Sequence, residues 1–171
     1  MSEIDCTRPW WRRLVSALAP TQLDGAERLA WHHAAEVRLA DALVREAESL
    51  GRYPQPRRRI LEAAERASRR AERIRHALDE TGHAATEPAP TSGVRSPMGW
   101  GGLRAGVSEL ASMSEAYLAD AYAMERRHPG LAELLRGLHR EAAADRRDLI
   151  WTLAQLTRAA VTTTSVEEVA A

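Results

Sequence analysis

Apolar and small side chains recur along this chain at alternating steps of four and three, the spacing that gathers them on one side of an α-helix. From about Leu23 to Leu50 the seam reads Leu29, His33, Glu36, Ala40, Leu43, Ala47 and Leu50. It predicts a first helix, with Thr21 placed to cap it, Asp24 in its first turn and two polar residues, His33 and Glu36, inside the seam. Gly51 to Pro56 reads as a short turn, so a second helix folds back beside the first. That helix spans about Arg57 to Thr81 with the seam Ile60, Ala64, Ala67, Ala71, Ile74 and Leu78, and Gly82 is suited to end it.

Residues 83–102 are rich in Pro, Gly, Ser and Thr and read as a connector. It can reach roughly 60 Å extended, more than the roughly 36 Å of a 24-residue helix, so it can run the whole length of a bundle. A third helix, about Leu103 to Arg127, has the seam Leu103, Val107, Leu110, Ser114, Tyr117, Ala121 and Met124, widened by Ala111, Leu118 and Tyr122. A fourth starts near Pro129 and runs to about Ala160 through Leu131, Leu135, Leu138, Ala142, Asp145, Leu149, Leu153 and Leu156. The expectation is one all-α bundle domain over residues 21–161. It is preceded by an amphipathic segment, residues 1–20, and followed by a disordered tail, residues 162–171, which lacks a packing pattern.

Composition sharpens this picture. The chain has 171 residues, enough for one domain with its own core and no metal or disulfide staple. Alanine makes up roughly a fifth of it, which favours helices packed closely together. All positive charge is arginine, and the formal net charge is zero, which argues against the basic field of a general nucleic-acid binder. The single cysteine, Cys6, provides neither a disulfide framework nor a cysteine zinc site and fits a reducing cytoplasm. No apolar run approaches a membrane span, and the arginine-containing start lacks the pattern of a signal peptide. Trp10 and Trp11 beside Leu14 and Leu18, with Trp100 and Trp151, are more large aromatics than one small bundle covers, which predicts a homodimer.

Two passages give a family resemblance over most of residues 23–158. One runs from Glu36 through the turn to Ala71-Glu72-Arg73-Ile74-Arg75-His76-Ala77-Leu78-Asp79-Glu80-Thr81-Gly82; the other is Leu134-Leu135-Arg136-Gly137-Leu138-His139-Arg140-Glu141. With the two hairpins and long crossover, they resemble the ferritin-like superfamily. That resemblance implies an antiparallel four-helix bundle whose di-iron members carry a Glu on each of two helices and a Glu-x-x-His pair on each of the others. Laid over this chain, the first-helix glutamate is Glu36, but the second-helix pair falls on Ala67 and Arg70 and the fourth-helix pair on Ala142 and Asp145. The third-helix glutamate falls on Glu115, whereas the seam passes through Ser114, and a register set on Tyr117 would bring Leu110 there. Alanine offers no donor and Arg70 brings a permanent positive charge, so the motif argues against iron.

Glu36 lies about as far before the turn as Arg70 lies after it, and Asp145 holds the matching seam of the fourth helix. These residues, with His33, are expected to form a buried polar cluster in which the arginine fork bridges two carboxylates. The leading expectation is a non-catalytic bundle that binds a protein or small molecule, without a cofactor. A competing reading is a diverged metal-dependent oxidase or iron-handling protein holding iron or manganese through His33, Glu36, Glu115, His139 and Asp145. A third is nucleic-acid binding through Arg66, Arg69, Arg70 and Arg73, although Glu62, Glu65 and Glu72 interleave with them as in a solvated salt-bridge face. Glu72 and His76, four apart, read as an exposed helix pair. No nucleophile paired with a base and no Gly-rich phosphate loop stands in the chain.

Overall fold

The computed structural model describes residues 25–82 and 101–169, with side chains described as far as residue 160. Among them are four helices and no strand: α1 (Gly25–Ser49), α2 (Pro54–Glu80), α3 (Gly101–Met124) and α4 (Pro129–Val169). The amphipathic segment 1–20 and the cap at Thr21 lie outside the described residues, as do residues 83–100 of the connector.

Local chemistry explains the ends. After α1 the chain turns through Leu50 to Tyr53, whose amide donates to the Leu50 carbonyl at 2.9 Å. Proline at the first positions of α2 removes N–H groups that would lack helical partners, and α2 begins at Pro54, three residues before the expected Arg57. Gly82 ends α2 in the left-handed region, φ 77°, which glycine alone enters without cost from a Cβ atom. Glu46, buried near the end of α1, accepts from the Leu103 backbone N–H in the first turn of α3, satisfying one amide there. Gly101 and Gly102, assigned to the connector by composition, therefore belong to α3.

The fourth helix outruns its seam. Residues 162–169, expected to be disordered, continue α4 to Val169. Neither Gly nor Pro interrupts the chain after Gly137, and adding a turn to an existing helix avoids the cost of nucleation.

One core joins the elements. α1 packs on α2 and α3, and α4 packs on α3 and α2. Every expected seam position is buried except His33, Val107, Leu131 and Leu153, which are partly so; of the residues expected to widen the α3 seam, Ala111 and Leu118 are partly buried, but Tyr122 faces outward, 61 % exposed. Fully buried Leu29, Ile60, Ile74, Leu78, Leu103, Leu110, Leu135 and Leu149 dominate it, each contributing on the order of 1.5–3 kcal/mol on burial. Alanines at 63, 64, 67 and 142 fill the remaining positions with little bulk. The α1–α3 contact is close at Gly106, where a Cβ would lie 3.3 Å from Leu43 Cδ2. Alanine therefore sets helix spacing, and leaves room at the level of residues 67 and 142 for larger polar groups from neighbouring turns.

Candidate functional site

Those polar groups meet in the middle of the core, one from each helix. Glu36 from α1, Arg70 from α2, Tyr117 from α3 and Asp145 from α4 are each no more than 2 % exposed. Arg70 grips Glu36 with two parallel bonds, Nε donating to Oε1 at 2.6 Å and Nη2 to Oε2 at 3.0 Å. Its Nη1 donates to Asp145 Oδ2 at 2.5 Å. The Tyr117 hydroxyl donates to Glu36 Oε1 at 2.6 Å, and Arg66 Nε donates to the other oxygen of Asp145. Two guanidinium cations thus face two carboxylates, and the charges cancel.

The electrostatics follow from that arrangement. Burial pushes Arg70 down, but the hydrogen bonds and charges of Glu36 and Asp145 outweigh it and raise the guanidinium above its ordinary range. Burial is also the largest influence on Glu36 and pushes its carboxyl above the usual carboxylate range, against the pull of Arg70 and Tyr117. The Tyr117 phenol is raised by burial and by the Glu36 charge, so it stays protonated and donates. Every carboxylate oxygen of Glu36 and Asp145 is thus paired with a donor.

A second polar group leans on the first. The His32 ring, fully buried, stacks on Tyr117 with centroids 4.5 Å apart and places Nε2 2.9 Å from Asp120 Oδ2. Arg28 also bonds Asp120. Burial raises the Asp120 carboxyl, but His32 and Arg28 overcome this and hold it below the usual range. Among the described residues the buried His32 Nδ1 meets no hydrogen-bond partner.

The expected site is therefore assembled in part. Glu36, Arg70 and Asp145 come together, but His33 does not join them. It is half-buried beside Glu72 and Arg75, its pKa lowered first by burial and then by Arg75. The adjacent His32 occupies the interior instead, because one residue is about a 100° rotation around a helix. Leu29, His32, Ala35, Glu36, Leu39 and Leu43 form the buried stripe, and that wider pattern is the signal that would have selected His32. The registers proposed for α3 resolve to Ser114, Tyr117 and Leu110 inside and Glu115 exposed. Nothing in the pattern marked Arg66 or Asp120 as partners across helices.

The metal alternative does not fit these residues. Glu115 is exposed, His139 turns its Nδ1 to the Ser114 carbonyl at 2.8 Å, and Arg70 stands between Glu36 and Asp145. Among the described residues no group of three or more His, Cys, Asp or Glu side chains is arranged to hold a metal ion. The arginine stripe of α2 is likewise engaged, with Arg66 and Arg70 on Asp145, Arg69 on Glu65 and Arg73 on Glu141. No described helix is long and apolar enough to cross a membrane. No protein-family model matches the chain, and neither a curated protein nor a solved structure does.

Proposed function

We propose that this chain is a non-catalytic, ferritin-like bundle that works by binding a small molecule or partner, with a fixed arginine–carboxylate cluster in place of a metal centre. The observation that carries this reading is Arg70, 1 % exposed, bonded to Glu36 and Asp145 at the middle of the core. A guanidinium cannot lose its proton to become a ligand, and it repels a dication. Both carboxylates that a metal would need are already spent on cations.

Contacts between helix ends support antiparallel neighbours. Gly25 at the start of α1 faces Met124 at the end of α3, while Gly106 near the start of α3 faces Leu43 near the end of α1. Arg66 reaches Asp145 and Arg73 reaches Glu141, so α2 and α4 also run oppositely. With short turns inside each hairpin, α2 and α3 then share a direction. Exposed Trp31 and Trp151, each 49 % accessible, support self-association on the same reading.

The test is the metal content of protein purified without chelator. Transition metal well below one ion per chain is the expected outcome, and one tightly held ion per chain would overturn the reading in favour of a metal-dependent enzyme.

A further inference from the structure

At the end of the bundle, where the last turn of α2 meets the turn between α3 and α4, lies an open groove of about 650 Å³. Small-molecule sites run to about 300–1,000 Å³, so the space is of ligand size. Its walls are of two kinds. Ala77 from α2 with Leu131 and Leu134 from α4 supply apolar surface, and Arg73, His76, Arg127 and His128 supply basic groups.

The acidic side is nearly absent. Among the described residues Glu80 is the one carboxylate lining the groove, and His76 Nδ1 already lies 3.7 Å from it. Arg73 directs Nη1 to Glu141, outside the lining, which leaves its Nη2 uncommitted. Arg127 makes a backbone bond to Met124, but its guanidinium pairs with no carboxylate of the described residues. Along α2, Arg58, Arg66, Arg69, Arg70 and Arg75 each reach an Asp or Glu, Arg59 lies over the Trp151 ring at 4.0 Å, and Arg57 at the exposed start of the helix has no acidic partner among the described residues. Of the four basic groups beside the apolar wall, Arg73 and His76 each have an acidic neighbour, whereas Arg127 and His128 have none among the described residues.

We propose that the groove binds a small organic carboxylate with an apolar body. The planar fork of Arg127, with Arg73 opposite, takes the two carboxylate oxygens. Leu131, Leu134 and Ala77 cover the apolar part, which free inorganic phosphate lacks. The proposal rests on the reading of the chain as a binding protein and names its ligand class, but it uses none of the residues of the buried cluster.

The probe is octanoate, titrated into the full chain by calorimetry and followed in amide spectra, with 1-octanol and inorganic phosphate as separate arms. Octanoate is expected to saturate one site and to shift the amides of Ala77, Leu131 and Leu134. The alcohol and the phosphate should each bind at least about tenfold more weakly. Arg127 is exposed, so Arg127→Gln leaves the fold intact and should weaken octanoate by about tenfold or more, whereas Arg69→Gln, outside the groove, should leave it unchanged. No saturable octanoate binding up to about 10 mM, equal binding of either control, or an unaffected Arg127→Gln variant would each overturn the proposal. A metal ion found in purified protein would overturn the reading of the buried cluster without touching this result, so the two failures are distinct.

Discussion

Replacing Arg70 by alanine removes the cation from the middle of a core that is otherwise sealed. Glu36, fully buried, would retain only the Tyr117 hydroxyl, and Asp145 only Arg66. Breaking a buried ion pair by deleting one partner costs about 3–5 kcal/mol, whereas an exposed pair is worth about 0–1 kcal/mol. For a domain of this size about 1 kcal/mol moves the melting temperature by roughly 2–4 °C, so Arg70→Ala should melt roughly 6–20 °C lower. Urea unfolding at pH 7 followed by circular dichroism gives the free energy directly. Arg69→Ala is the control, because that side chain is two-thirds exposed and only 3.8 Å from Glu65, and its cost should stay within about 1 kcal/mol. Adding Glu36→Gln to Arg70→Ala should recover part of the loss by removing the unpaired charge. Burial already raises Glu36, and losing Arg70 removes its strongest counterweight. With a folded-state value above the unfolded one, Glu36 takes up a proton on folding, so the deficit should shrink as pH falls through that folded-state value. An Arg70→Ala protein within about 1 kcal/mol of the parent, with no gain from the second substitution, would refute the reasoning.

Tyr117→Phe keeps the ring stacked on His32 but deletes one donor to a buried carboxylate, and should cost about 1.5–3 kcal/mol in the same urea assay. Asp120 is held below the usual carboxylate range, so its contribution is present above the unfolded value of about 3.9 and lost as pH falls through the folded value; Asp120→Asn should flatten that part of the acid denaturation curve. Sedimentation at high micromolar concentration should show a dimer, which deletion of residues 1–20 weakens; a monomer at every concentration would remove the association reading.

The seams were legible because burial in a helix obeys a fixed period. Glu36, Arg70 and Asp145 could be brought together from sequence, since a short turn makes residues equidistant from it neighbours; Glu36 and Asp145 lay on apolar seams, and Arg70 on the shoulder of the α2 seam. The narrow four-and-three seam selects His33 over His32; the wider stripe of Leu29, His32, Ala35, Glu36 and Leu39 is what separates them. The reach of Arg66 to Asp145 and of His32 to Asp120 depends on how two helices are rotated against each other, which no single helix encodes. The groove at the end of the bundle was invisible, since Arg73 stood only in the α2 stripe and nothing linked it to Arg127 in the turn after α3.

On the proposed reading, the Arg70 guanidinium holds the place where a ferritin-like protein would keep metal. A crystal structure of protein prepared without chelator, with diffraction recorded at the iron and manganese absorption edges, tests it most directly. The account predicts continuous density for Arg70 between Glu36 and Asp145 and no anomalous peak in the core. An anomalous peak about 2.0–2.2 Å from a Glu36 or Asp145 oxygen, with Arg70 turned away, would contradict it.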